Sequence, residues 1–356
     1  MTKLHVRIST ALLLLSPIIH SCTQAPVVRE NLESFTSFPA KDNLTLTNFL
    51  TLDTNVSPTA LLLRDTAIIA VNTDKLMRDY LFYDYSLASK KLVGKYVRWG
   101  AREQRTYGPM SYGLHQGKTL WVHDLSLHKI LLAPLASKVG RDSLSGITDF
   151  KSSKFSYSVR LMANGKLLRS GIFESPDYLE INDVAKDTLI RSLAKFNDYG
   201  KTFSPKTWKA AYEGFLFLQP SEGAAVVACR YADQIDLFDL KTGKHRMISG
   251  PEGYAPSFEP TPGVNHAILR KDDTRFAFLD GTVTEKHIYL MYAGRTRSEK
   301  NYNKSNTIYV YDWNGKPIRQ LMLNSYVSGI AVSSDDQHLY AIDKSQRNIL
   351  HTTLKF

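Results

Sequence analysis

Three segments far apart in the chain are written to one formula. Tyr80-Leu81-Phe82-Tyr83-Asp84, Ile235-Asp236-Leu237-Phe238-Asp239 and Ile308-Tyr309-Val310-Tyr311-Asp312 are each a run of β-branched and aromatic residues that ends on aspartate. Each leads through a short turn, twice containing Gly-Lys (Gly243-Lys244 and Gly315-Lys316), into a second alternating run. These are the parts of a hairpin: apolar strand residues, an aspartate able to accept from turn amides, and a glycine for the positive φ of a tight turn. A second pair agrees over a longer stretch. Leu120 to Leu135 reads LWVHDLSLHKILLAPL and Leu339 to Leu354 reads LYAIDKSQRNILHTTL, sharing leucine, an aromatic, a hairpin aspartate, a serine two residues on, and Ile-Leu. Recurrence of one supersecondary unit marks a repeat architecture, in which each unit buries its apolar face only against its neighbours.

Further short strands lie around these anchors, among them Ala60 to Leu63, Ala67 to Val71, Tyr157 to Met162, Gly214 to Leu218, Ala224 to Arg230, Arg275 to Leu279, His287 to Tyr292 and Gly329 to Ser333. Gly, Pro, Asn and Asp bound them, as they bound strands generally. No stretch reads as a convincing amphipathic helix. Val184 to Phe196 has partial helical spacing at Leu189, Leu193 and Phe196, but suits an outer strand, the favoured reading. Taken in fours, the strands form six units near residues 57–100, 105–150, 153–200, 210–250, 262–324 and 325–356, the last with only three strands. A ring resolves the deficit if Asn43 to Leu52 returns as the missing strand. The expectation is an all-β, six-bladed β-propeller of four-stranded blades over residues 43–356, closed by an N-terminal strand and monomeric because closure leaves no sheet edge free.

Residues 1–22, MTKLHVRISTALLLLSPIIHSC, have the three parts of an export signal: Lys3 and Arg7, an apolar run from Ile8 to Ile19, and the small residue Ser21 before Cys22. The run is too short, and interrupted by Pro17, for the roughly 20 apolar residues that a membrane span requires. Ile19 and Ser21 suit a lipoprotein signal ending at Cys22, whereas His20 departs from it. The alternative is ordinary cleavage after Ala25, against which Pro26 counts. A cysteine carrying two or more acyl chains anchors stably where one chain does not. No aspartate follows Cys22, which suggests the outer membrane with the domain facing the periplasm, and residues 23–42 read as a tether.

The cysteines are Cys22 and Cys229, so lipidation of the first leaves no intramolecular disulfide. Cys229, in Ala-Ala-Val-Val-Ala-Cys, reads as a small core residue. Two of the 45 basic residues and none of the 34 acidic ones lie in the first 22, so the remainder carries +9. Those charges are scattered, and an exported chain does not meet nucleic acid; the excess reads as solubility and proximity to a membrane surface.

A lipoprotein signal, four-stranded units along nearly the whole mature chain and aspartate-turn-Gly-Lys hairpins resemble the TolB-like six-bladed β-propeller lipoproteins. Gly100 to Gly113, with Tyr107-Gly108-Pro109, resembles that family's glycine-proline loop. The resemblance implies the fold. It carries no catalytic residues with it.

The chain has no nucleophile elbow, P-loop, dinucleotide-binding turn or His-Glu-x-x-His. Asp272-Asp273 and Asp335-Asp336 read as turn residues, and His123 and His128 as solvent-facing hairpin residues. His115, Glu213, His266 and Arg270 fall at inner-strand or mouth positions of the blade map. Arg295, Arg297 and Tyr302 lie in a long polar insertion, Gly294 to Asn306, placed to form a binding rim. The expectation is a non-enzymatic, cofactor-free envelope module that binds a protein, peptide or glycan while Cys22 holds it to the membrane. The rival is a hydrolase or lyase with a channel metal, which needs at least three His, Asp or Glu side chains converging on one ion.

Overall fold

A computed structural model describes residues 32–74, 79–135, 146–171, 175–196, 203–261, 263 and 267–356. Six sheets are arranged as blades. From inner strand outward, blade 1 is Ala60–Arg64, Ala67–Val71, Tyr80–Ser86 and Leu92–Arg98. Blade 2 is Pro109–His115, Thr119–Asp124, Lys129–Pro134 and Thr148–Lys151; blade 3 is Ser158–Met162, Lys166–Ser170, Asp177–Asp183 and Thr188–Lys195. Blade 4 is Gly214–Leu218, Ala224–Cys229, Gln234–Asp239 and His245–Ser249; blade 5 is Arg275–Val283, His287–Thr296, Ser305–Asp312 and Pro317–Val327. Blade 6 has three strands late in the chain, Ile330–Val332, His338–Asp343 and Asn348–Thr353. Its fourth is Thr47–Thr51, antiparallel to Asn348–Thr353, so a strand from near the N-terminus closes the ring as its sequence suggests. Inner strands touch successively around the ring, with blade 6 meeting blade 1.

The repeats occupy equivalent places. The three aspartate-ending runs are the third strands of blades 1, 4 and 5, and the longer pair spans the second and third strands of blades 2 and 6. Asp239 accepts from the amides of Lys241 and Thr242 at 2.9 and 2.8 Å, and Asp312 from those of Asn314 and Lys316, both at 2.9 Å. Gly243 and Gly315 take φ of 78° and 76°, where a side chain would strain the turn. Asp84 departs from the formula. Its strand continues to Ser86, so Asp84 is enclosed within blade 1 and pairs with Arg64 at 2.8 Å.

Closure is sealed by packing. Leu50 and Leu52 lie with Ile349, Tyr340 and Ile342 of blade 6 and with Leu61, Ile68 and Tyr83 of blade 1. Upstream, Leu32–Ser34 adds to blade 4 and Lys41–Leu44 to blade 5, each parallel to the outer strand. Between them Phe35 and Phe38 set their rings against Tyr311, and Phe38 also against Tyr309 with centroids 4.5 Å apart. The same short segment thus covers the outer edges of two blades and completes a third, and sheet edges of this kind are aggregation-prone when bare.

Two features depart from the sequence reading. His123 is 1% exposed, not solvent-facing; burial foremost, and Arg169 beside it, push its pKa down to about 4. His128, in the adjoining turn, is exposed. A short helix, Pro205–Ala211, precedes blade 4, its N-terminus capped by Ser204, whose Oγ accepts from the Thr207 amide at 3.2 Å. Within Val184 to Phe196, Thr188–Lys195 forms the outermost strand of blade 3, in line with the outer-strand reading. Cys229 is buried and forms no disulfide among the described residues. No described helix is long and apolar enough to cross a membrane.

Candidate binding mouth and channel

All inner strands run the same way, so the two faces differ. The face where inner strands begin, the upper face, receives the connections between blades, including the Pro205–Ala211 helix and a hairpin of Phe258–Pro260 with Ile268–Arg270. The lower face carries tight turns and the 135–147 connection, described only in part. Eight large apolar side chains are exposed among the described residues; Tyr107, Met110, Phe155, Leu269 and Tyr326 belong to the upper face. Tyr107 is held there by Asp124, whose carboxylate accepts from the Tyr107 and Gly108 amides, from the Thr106 hydroxyl at 2.7 Å and from the Leu127 amide at 2.9 Å. Position 108 must be glycine, since a Cβ would lie 2.1 Å from the Ser126 hydroxyl.

Around the mouth, Glu213 sits between two arginines, Arg230 at 3.2 Å and Arg270 at 3.7 Å. Arg270, from the hairpin, donates to the Ala210 carbonyl at 2.9 Å and lies 3.2 Å from the Tyr231 ring centroid. Burial is the main influence on Arg270 and lowers its pKa; burial also pushes Tyr157, next to this cluster, up to about 12. Beneath this cluster the rings continue inward from Tyr231 to Phe276 at 5.2 Å, and from Phe276 to the partly buried Tyr302 at 5.3 Å. Glu213, Arg270 and Tyr302, three of the residues singled out in the sequence, therefore share one surface. Tyr231 and Phe276, which link them, were not legible as site residues because nothing in their neighbouring sequence distinguishes them from core aromatics.

Arg295 is turned outward along the same rim, donating to the Tyr326 hydroxyl at 3.1 Å, and Arg297 is exposed. His115 ends the inner strand of blade 2 and so lies toward the lower face, away from this cluster. His266 and Cys22 lie outside the described residues. Beside Glu213 a cavity of about 20 Å³, room for one water, is lined by Tyr157, Tyr178, Phe196 and Lys209. Lys209 is buried, which pushes its pKa down to about 8, and its ammonium donates to the carbonyls of Ser175 and Asp177, the latter at 2.8 Å.

Below the mouth, the channel holds charged groups from separate blades. Arg160 comes from the inner strand of blade 3, Tyr112 from that of blade 2 and Asp280 from that of blade 5. The charges of Arg160 and Asp280 shift each other's pKa, and both act on Tyr112. Burial lowers the pKa of Arg160 to about 10, raises that of Asp280 to about 7 and raises that of Tyr112 to about 12. Asp280 follows an irregularity in the blade 5 register and accepts from the Ile330 amide at 3.2 Å. No group of three or more His, Cys, Asp or Glu able to hold a metal forms among the described residues.

The fold defines a six-bladed propeller whose upper face carries a cluster of arginine, glutamate and tyrosine. A family model described as TolB-like 6-blade propeller-like matches residues 35–335, and the chain belongs to that family. Among solved structures, a Bacteroides fragilis protein described as exported superposes with a TM-score of 0.55 at 12% identity, covering 91% of this chain and 100% of that one. Hydrazine synthase of Kuenenia stuttgartiensis gives 0.46 at 11% identity, covering 85% and 97%. At 12% identity the likeness to the Bacteroides fragilis protein is one of fold. No curated protein matches the chain.

Proposed function

We propose that this chain is an outer-membrane lipoprotein, anchored through Cys22 and facing the periplasm, whose propeller binds a protein, peptide or glycan on its upper face without catalysing a reaction. The observation that carries the binding reading is the convergence of Glu213, Arg230 and Arg270 over the Tyr231 and Tyr302 rings, on the face that also exposes Tyr107, Phe155 and Leu269. Arginine and tyrosine dominate binding hot spots because they combine large contact area with directed polar groups, and exposed apolar side chains gathered on one face mark contact surfaces. The export signal supports the location, and membership of the propeller family supports a scaffold on which loops, not the blades, carry specificity.

The test is direct binding of the purified mature chain to peptide and glycan arrays. Ligands retained by the wild type should be lost by Arg270→Ala and Arg230→Ala, each weakening binding by about 2 kcal/mol or roughly thirtyfold. Lys244→Ala on the lower face should bind as wild type. Turnover on a panel of glycans, lactones and esters, abolished by a mouth substitution, would defeat the non-catalytic reading.

A further inference from the structure

The segment that closes the ring leaves a groove where it crosses between blades 5 and 6. Thr47–Thr51 pairs with blade 6 only as far as Thr47 opposite His351. Just before it the chain belongs to blade 5: the Leu46 amide donates to Asn324 Oδ1 at 2.9 Å, and Lys41–Leu44 pairs with residues 320–323. Residues 352–356 therefore run on without an outer strand beside them. Between this run and Lys41–Leu44 lies a groove of about 410 Å³ at the lower rim, the size of a pocket that takes a ligand.

Both walls are strand edges, and the register fixes which groups they present. Gln320 stands opposite Lys41 and donates its amide to the Ala40 carbonyl at 2.9 Å, so residues 40, 42 and 44 turn their backbone groups to blade 5. Asn43, between them, turns its N–H and C=O the other way, on the side of the groove it lines. On the opposite wall the Leu354 amide donates to the Gln337 carbonyl at 2.8 Å, so Leu354 faces inward and Thr353 turns its backbone groups outward to the same groove. Asn43 and Thr353 are both exposed. Bare edges of this kind accept a further strand, with main-chain bonds giving affinity that does not depend on side chains. The lining charges fit such a ligand. Arg319 closes on Asp42 at 2.7 Å and donates to the Lys355 carbonyl at 2.8 Å, so it is not left to capture an anion. Lys355 is exposed and enters no ion pair among the described residues, so an acidic side chain would complement it.

We propose that this groove binds an extended peptide, which adds as a strand beside Lys41–Leu44, bonds to the main chain of Asn43 and Thr353, and sets an acidic side chain against Lys355. The site is separate from the upper-face cluster and does not rest on that reading.

Fluorescence polarisation with the mature chain should use the labelled, end-capped hexapeptide ETVTVE, its counterpart KTVTVK, and ETVTVE with its central amides N-methylated. ETVTVE should bind with a Kd below about 0.5 mM, KTVTVK about threefold more weakly, and the N-methylated form not at all. Asn43→Pro and Thr353→Pro remove only outward amides and should each weaken binding about fivefold or more, whereas Asn43→Ala and Thr353→Ala keep the main chain and should bind as wild type. Lys355→Ala should abolish the preference for ETVTVE over KTVTVK, and Arg270→Ala on the upper face should leave affinity unchanged. Thermal midpoints without peptide establish that each variant folds; should a proline variant not fold, the N-methylated peptide carries the same comparison. Failure of both unmethylated peptides to bind at about 2 mM overturns the proposal, as does binding of the N-methylated form. Loss of binding in Asn43→Ala and Thr353→Ala would assign the groove to a ligand read by side chains, such as a saccharide, and loss in Arg270→Ala would move the peptide to the upper face; either overturns it.

Discussion

Leu50→Ala tests ring closure where closure is made. Leu50 is 8% exposed and sits in the seam between the last blade and the first, against Ile349 of one and side chains of the other. Truncation removes three carbons from a packed site and leaves a cavity that strands on both sides prevent from collapsing. Core leucine-to-alanine changes cost about 2 to 5 kcal/mol, and a site on a single closing strand belongs near 3. In urea, with a slope of about 3 kcal/mol/M for a chain of this size, the midpoint should fall by about 1 M at unchanged slope. Leu269→Ala is the matched control, because Leu269 is 63% exposed and its loss should move the midpoint by less than about 0.2 M. Unfolding followed by tryptophan fluorescence reads both. Equal midpoints for the two variants would show that the N-terminal strand does not hold the ring.

Other outcomes follow from titration and anchorage. His123 has its pKa pushed down to about 4 by burial, so between pH 6.5 and 4 the unfolded chain takes up a proton that the folded one refuses. Stability should fall by up to about 3 kcal/mol across that window, and His123→Gln should remove this part of the fall in pH-dependent denaturant titrations. Asp280 works in the opposite sense: raised to about 7 by burial, it stabilises fully below its unfolded value of 3.8, and that contribution is lost as pH rises through 7. Asp280→Asn should therefore match the wild type at pH 4 relative to its own baseline and gain about 1 to 2 kcal/mol at pH 8, screening by channel water keeping the figure small. A loss at pH 8 would contradict this. Cys22→Ala should move the protein from the membrane to the soluble periplasmic fraction and abolish palmitate labelling; a variant that stays in the membrane would contradict lipid anchorage at Cys22.

Much of this fold is legible because the propeller repeats its chemistry. The aspartates at 239 and 312 end the third strands of their blades and Asp343 the second strand of blade 6, and each accepts from amides of the following turn, so this residue type marks strand ends. The missing fourth strand of the last unit pointed to the closing strand, and Thr47–Thr51 fills it. Asp84 shows where the formula misleads: two more strand residues move it inside, where its requirement becomes a cation and not a turn amide. Pro205–Ala211 is too short to show helical periodicity, and its trace was local, the serine-proline start at 204 and 205. The channel groups left no linear signal at all. Tyr112, Arg160 and Asp280 stand in inner strands that mix polar and apolar residues and share no spacing, and only the closed ring brings blades 2, 3 and 5 to one axis. At the mouth the sequence supplied Glu213, Arg270 and Tyr302 but not Tyr231 and Phe276, whose role depends on which neighbours the blade edges present.

The central claim is that the upper face is where this protein meets its ligand. Photo-crosslinking in living cells tests it most directly, with a photoreactive residue placed singly at Tyr107, Phe155 or Leu269 on the upper face and at Gln116, Lys186 or Lys244 on the lower, all exposed positions. Adducts of one defined size from the upper positions, absent from the lower ones and lost on adding Arg270→Ala, are the predicted result. Adducts from the lower positions that persist in Arg270→Ala would contradict it.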